Sequence, residues 1–384
     1  VSRVLVLTRG LPLHHVGGME SVAWDLCRAL TAHAEVGVLT TSAPGRPERA
    51  VLEGVDVHAL AGTAPGRYSR AWWRASRAAL AAELGRGGVS GVLSVSAGAH
   101  SALDLPARAG ARLVLQAHGT SVAELTSKLT SRRLRPVLTS VRNASGLLRD
   151  VRAYRRFDDV VAVGPAVAAS LTAPPLGRLV AMPPVHVLAN GVDTTAFRPD
   201  PAAAAAARGE LALPPGAPVL LVAGRLHPQK RVDRALRCLA ALGGGAHLVL
   251  AGDGPDGRAL RALAGELGVA QRVRFLGAVA RERLPALTAA ADASLLTSQW
   301  REGLPMAVLE SLACGTPVVA ARTTAPVDGA GGAVRRVDAG DADALVAAVR
   351  SVLAAGRSPR SLLPARYELR GVAAAYARLL TGAP

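Results

Sequence analysis

At 384 residues the chain is long enough for two domains, or three. Half of its residues are hydrophobic and 19% are charged, which supplies a sizeable core and excludes wholesale disorder. The net charge is +17, yet Lys128 and Lys230 are the only lysines. So arginine-dominated a basicity reads either as genome-wide composition bias or as attraction to an anionic partner. Aromatic residues make up 3%, too few for stacking platforms. With no zinc-finger spacing and no aromatic ribonucleoprotein motif, nucleic acid is not expected as a partner.

Short β-like runs alternate with Ala/Leu-rich helical patterns, the signature of parallel sheets covered by helices on both faces. Val4–Thr8 reads as the first strand, followed by a helix carrying Val22, Leu26, Cys27 and Leu30. Further strands are expected at Val36–Thr40, Gly91–Ser96, Leu113–Gln116 and Val160–Val163. A second series comprises Val219–Ala223, His247–Ala251, Val273–Leu276, Ala293–Leu296 and Pro317–Ala320. The junction is placed near residues 190–200, where Asp200-Pro201 can cap and open a helix. Two doubly wound domains face to face would form a cleft at the carboxyl ends of their strands.

Cys27, Cys238 and Cys314 are odd in number and scattered, and read as small core residues in a reducing, cytoplasmic setting. No secretory signal is read in Val1–Thr8. Pro165, Pro174 and Pro175 interrupt the longest uncharged stretch, Val160–Gly177, so no spanning helix is expected there. Thr126–Arg156 carries nine basic residues against Asp150. It reads either as a solvated helix face or as a surface that meets anionic lipid or an acidic acceptor.

Four segments could carry chemistry. In the first, Glu302-Gly303-Leu304-Pro305-Met306 leads into a helix whose buried stripe is Val308, Leu309 and Leu312. Glu310 lies about 7.5 Å along that helix, at 1.5 Å per residue. The open N–H groups at Leu304–Met306 form an anion site, with flanking carboxylates suited to sugar or ribose hydroxyls. In the second, Arg225 and Lys230 sit in the loop after Val219–Ala223, where both could reach one diphosphate, or could be plain surface cations. The third, Gly17-Gly18 after the first strand, fits a turn or the close approach of a ligand. The fourth, His118, sits just past a strand, where it is either structural or part of the cleft.

Gly252-Asp253-Gly254-Pro255-Asp256-Gly257 is a literal GxGxxG after a strand. It lies outside the first βα turn of its domain, and Pro255 lies within it. No acidic residue follows at the ribose position, so a dinucleotide role is not expected. Asp341-Ala342-Asp343 reads as a helix cap rather than a metal site.

Taken together these residues resemble glycosyltransferase family 4, retaining enzymes of the two-Rossmann-domain GT-B fold. The resemblance runs nearly end to end. It takes in Gly17-Gly18-Met19-Glu20, His118-Gly119, Ala189-Asn190-Gly191-Val192-Asp193 with Phe197-Arg198-Pro199, Gly224-Arg225 with Lys230, Phe275-Leu276-Gly277, and Glu302-x7-Glu310 with Gly315-Thr316-Pro317. It implies an acceptor-side domain over residues 1–195, a nucleotide-sugar domain over 196–365, and a final helix, 366–384, returning to the first domain.

The implied activity is hexose transfer from a UDP- or GDP-linked sugar to a hydroxyl of a glycolipid, polysaccharide precursor or small metabolite. Neither metal nor cofactor is implied. Arg225 and Lys230 would hold the diphosphate, Glu310 the ribose and Glu302 the donor sugar. Backbone at Gly303–Met306 would hold phosphate or sugar, and main chain at Gly277, Ala278 and Val279 would select the base. Gly17 and Gly18 would close over the donor, and His118 would touch the sugar near its reacting carbon. Where the family carries a Gly-Gly-x-x-Glu element, this chain has Arg322–Gly329, so no sugar contact carries over there. A same-fold epimerase or phosphorylase, and a basic membrane- or nucleic-acid-binding protein, are the competing readings. Peripheral association with the inner face of the cell membrane, through residues 126–156, is compatible with the enzyme.

Overall fold

The computed structural model describes residues 2–14, 17–105, 110–118, 152–174, 176–300 and 303–382. They form two compact α/β units, residues 1–191 with 369–384, and residues 192–368.

The first unit is built on an eight-stranded sheet: β1 (Arg3–Leu7), β2 (Glu35–Thr41), β3 (Arg49–Leu52), β4 (Val55–Leu60), β5 (Val89–Val95), β6 (Arg112–Ala117), β7 (Asp159–Ala162) and β8 (Val185–Val187). Their order is β3-β4-β2-β1-β5-β6-β7-β8, and every pairing is parallel except β3 with β4. The apolar run of β1 shows why the sheet is buried on both faces. Val4 and Val6 enter a core with Leu26, Leu30, Val372 and Tyr376, from helices Gly18–Leu30 and Leu369–Thr381. Leu5 and Leu7, pointing the other way, meet Leu80 of helix Arg70–Gly85 and Leu171 of Pro165–Thr172. The last helix of the chain is thus a wall of the first unit. It reaches β5 at Gly91, where a Cβ would come within 2.2 Å of the Leu380 carbonyl oxygen, so only glycine admits it.

The second unit holds six parallel strands: β9 (Val219–Ala223), β10 (His247–Ala251), β11 (Val273–Gly277), β12 (Ala293–Leu296), β13 (Val318–Ala321) and β14 (Val334–Val337), in the order β11-β10-β9-β12-β13-β14. Leu220, Val222, Leu248 and Leu250 pack on one face against Leu236, Leu239, Leu345 and Val349, from helices Val232–Leu242 and Ala342–Ala355. Helices Pro201–Glu210, Leu284–Ala290 and Met306–Ala313 cover the other. Asp200 and Asp341 cap their helices as their positions predict, accepting from the N–H of Ala203 and Ala344, each at 2.9 Å. The chain enters and leaves this unit at one place, where Val192 bridges Glu368 and its N–H donates to the Tyr367 carbonyl at 2.8 Å.

In both sheets the winding reverses once, between β1 and β5 and between β9 and β12. Open α/β sheets bind ligands at the carboxyl ends of the strands flanking such a reversal. The loops after β9 and β12 are the two that contain Arg225–Lys230 and Gly303–Pro305.

All three cysteines are free and buried. Burial pushes the Cys27 and Cys314 thiols up to about 12 and Cys238 up to about 11, which leaves them protonated and unreactive. No helix among the described residues is long and apolar enough to cross a membrane, and these residues contain no three-residue His/Cys/Asp/Glu cluster suited to a metal.

Candidate active site

After β9 the chain turns at Gly224, exposes Arg225, buries Leu226 and makes a single 3-10 turn, Pro228–Lys230. Arg231 then takes left-handed backbone, φ 49°, a conformation that costs a side-chain-bearing residue about 1–2 kcal/mol. Its neighbours hold it there. The guanidinium grips both carboxylate oxygens of Asp233 at 2.8 Å and reaches Gln299 Oε1 at 3.2 Å. Thr297 Oγ1 lies within donating distance of the carbonyls of Lys230 and Arg231, at 3.0 and 2.8 Å. Gln299 N–H donates to the Gln229 carbonyl at 3.1 Å, and Arg234 donates to the Thr297 carbonyl at 3.2 Å. The loop bearing Arg225 and Lys230 is thereby fastened to the segment leading toward Gly303. Strain held by such over-determined bonding is a mark of functional loops.

Behind this loop stands the glycine-rich segment after β10. A Cβ on Gly252 would lie 1.9 Å from the Gly224 carbonyl oxygen, and one on Gly254 2.2 Å from that of Leu226. Gly224 N–H donates to the Ala251 carbonyl and Leu226 N–H to that of Asp253, both at 2.9 Å. Gly252 and Gly254 are required by the loop of Arg225, which accounts for the first two glycines of the GxGxxG pattern. Gly252 also bridges Gly277, which turns at φ 70° into exposed Ala278 and half-buried Val279.

Helix Met306–Ala313 begins after Pro305, and no side chain caps its N-terminus. Val308, Leu309 and Leu312 are fully buried, as their spacing predicts. Glu310 is buried too, and Arg281 Nη1 donates to its Oε1 at 3.1 Å. The Arg281 guanidinium lies 5.5 Å from the centre of the Phe197 ring, a cation–π distance. Arg281, one arginine in an arginine-rich chain, carries no sequence signal that would single it out.

Arg225, Lys230, Gly277–Val279, Gly303–Met306 and Glu310 therefore lie on the second unit, most of them in loops at the carboxyl edge of its sheet. Glu302 lies outside the described residues, as does all of Thr126–Arg156 except residues 152–156, where Arg152, Arg155 and Arg156 are exposed.

In the first unit Gly17 precedes helix Gly18–Leu30 in extended conformation, and Gly18 has open space where a Cβ would be. His118 follows β6, half-buried, and burial pushes its imidazole down to about 4, so it is neutral near pH 7. Its Nε2 lies 3.1 Å from Gln116 Oε1, and Gln116 Nε2 donates to Tyr376 Oη at 2.9 Å.

Comparison with known proteins gives two family matches. A family model described as "Glycosyltransferase Family 4" matches residues 16–196, and one described as "Glycosyl transferases group 1" matches residues 204–368. The chain is 35% identical over 264 residues to a GDP-mannose-dependent alpha-(1-6)-phosphatidylinositol monomannoside mannosyltransferase of Mycolicibacterium smegmatis; the match covers 65% of this chain and 63% of that protein. It is 39% identical over 184 residues to a D-inositol 3-phosphate glycosyltransferase of Mycolicibacterium gilvum, covering 45% of this chain and 40% of that one. The chain thus matches less than two thirds of either relative's length. Among solved structures, sucrose-phosphate synthase from Thermosynechococcus elongatus superposes with a TM-score of 0.75 at 19% identity, covering 99% of this chain and 98% of its own. That likeness is one of fold.

Proposed function

The chain belongs to the family 4 glycosyltransferases of GT-B fold, and we propose that it is a retaining enzyme moving a hexose from a nucleoside-diphosphate sugar to a hydroxyl acceptor. The observation that carries this reading is the loop of Arg225 and Lys230, locked to the Thr297–Gln299 segment that precedes the uncapped N-terminus of helix Met306–Ala313 in the chain. Two cations and a helix N-terminus that no side chain caps, all at a sheet reversal, suit a diphosphate.

Arg225 and Lys230 hold the diphosphate and take up the negative charge that grows as the sugar–phosphate bond breaks. N–H groups of Gly303, Leu304 and Met306, flanking Pro305, assist at phosphate or sugar, and Glu310 accepts from ribose hydroxyls. Main chain at Gly277–Val279 meets the base, and Glu302 meets the donor sugar. From the first unit, Gly17–Gly18 and the neutral imidazole of His118 are assigned to the sugar. With the acceptor hydroxyl attacking the face the leaving group vacates, no enzymic nucleophile is needed, and rate comes from positioning and electrostatics.

The donor base to try first is guanine and the acceptor class an inositol-bearing polyol, because the relatives' names carry GDP-mannose and inositol. Peripheral contact with anionic lipid through residues 126–156 is part of the proposal. Flotation with anionic and with neutral vesicles tests it, and equal, negligible binding to both refutes it.

The donor site is tested by thermal shift against GDP, UDP, ADP, dTDP and NAD, with Glu310→Ala as control. Selective binding at a hundredfold excess over Kd adds about 2.7 kcal/mol of stability. A shift with one nucleoside diphosphate, lost in the variant, supports the reading. A shift with NAD alone, or with none, overturns it.

A further inference from the structure

Tyr376, Gln116 and His118 form one hydrogen-bonded line, running from the last helix of the chain through the end of β6 to a residue assigned to the donor sugar. Tyr376 is 1% exposed and Gln116 likewise, so neither can exchange its partner for water. Burial holds the Tyr376 phenol well above its ordinary range, and it remains a hydroxyl. Gln116 Nε2 donates to that hydroxyl, which turns Oε1 toward His118. In this amide orientation the carbonyl oxygen, which only accepts, faces Nε2, so Nε2 is the ring nitrogen that carries the proton. The neutral ring then has one nitrogen left, Nδ1, with a bare lone pair. Nδ1 has no partner among the described residues.

We propose that Tyr376, acting through Gln116, is a positioning residue that fixes His118 as the Nε2–H tautomer, so that Nδ1 is presented as an acceptor to a hydroxyl of the bound sugar. A free imidazole would divide between two tautomers, and only one of them can accept at the position Nδ1 occupies. The donor-sugar half of this inference rests on the function proposed above; the tautomer half does not.

The test uses the full chain with nitrogen-15-labelled histidine, its His118 signals identified by their loss in His118→Gln. Wild type at neutral pH should show a protonated Nε2 and a bare Nδ1. Tyr376→Phe removes one oxygen and leaves Gln116 unlatched, so the His118 signals should move toward a tautomer mixture. Transferase kcat should fall roughly tenfold, the effect of about one hydrogen bond, with the donor KM little changed. Gln116→Met breaks the line one atom further on and should do the same. The double variant should cost no more than either single one, because a broken line cannot be broken twice.

A wild-type His118 protonated at Nδ1 would overturn the proposal. So would a Tyr376→Phe protein whose tautomer and kcat are unchanged, or losses that simply add. A wild-type chain with the expected tautomer but no transferase activity would overturn the donor-sugar half and the proposed function together, leaving the tautomer assignment standing.

Discussion

Gly252 and Gly224 approach so closely that a single methyl group on the first would lie 1.9 Å from the carbonyl oxygen of the second. Two loops from adjacent strands are in backbone contact there, and the loop that is pressed is the one carrying Arg225 and Lys230. Gly252→Ala should therefore lower both the melting temperature and nucleotide affinity, the latter by about tenfold or more, since misplacement on the order of 1 Å has such effects. Gly257, the last glycine of the same pattern, would bring a Cβ no nearer than 3.4 Å, to the flexible end of Arg261, with Asp253 Oδ1 and Leu226 Cδ1 at 3.9 Å. Gly257→Ala should be neutral, or stabilising by about 0.4–1 kcal/mol. Melting curves and GDP titration of the two variants make the comparison; equal damage from both would restore the dinucleotide reading of the motif.

Lys230→Ala and Arg225→Ala should each reduce turnover on the order of 10²–10³, the range seen when one stabiliser of transition-state charge is removed. Single-turnover rates, measured beside melting curves that establish folding, check this. Unchanged turnover in both would remove the diphosphate assignment.

Arg281 fixes the Glu310 carboxylate at 3.1 Å, and a carboxylate so held is aimed before ribose arrives. Arg281→Met should weaken nucleoside-diphosphate binding about tenfold, equivalent to roughly 1.4 kcal/mol. It should also shrink the preference for ribonucleotide over deoxyribonucleotide, measured by calorimetry with both. An undiminished preference would show that Glu310 does not depend on Arg281.

His118 titrates near 4 in the folded protein, against 6.5 ordinarily, so the unfolded chain takes up its proton first as pH falls. The fold has this residue's full contribution above about pH 6.5 and loses it progressively down to about pH 4, by on the order of 3 kcal/mol at most. Denaturant melts across pH 4–7 should therefore show a steeper acid loss for wild type than for His118→Gln.

The buried strands were legible because each is a run of Val, Leu and Ala enclosed on both faces. The edges were not. The β3–β4 hairpin turns at Glu53-Gly54, with φ of 49° and 82°, and Glu-Gly is a weaker turn signal than Asn-Gly. Val51, 73% exposed, gives that hairpin no core pattern. β8 and β14 are short edge strands with charged or polar residues among few apolar ones. In the site, Arg225, Lys230 and Glu310 stood out because motifs of local spacing carry them. Arg281, Gln116 and Tyr376 did not, because their meaning lies in partners far along the chain: Gln116 and Tyr376 are 260 residues apart.

That separation also has a bearing on how the protein is made. At about 5–20 residues per second, the ribosome takes roughly 13–50 s to pass from β6 to the helix that covers it. Throughout that interval the groove destined for Val372, Tyr376 and Leu380 stays open, and the Gln116 amide has no phenol to meet. The second unit can be complete before the first has its final wall. The unit begun first is finished last, and a nascent chain halted anywhere before residue 380 would expose the same unfilled seam to chaperones.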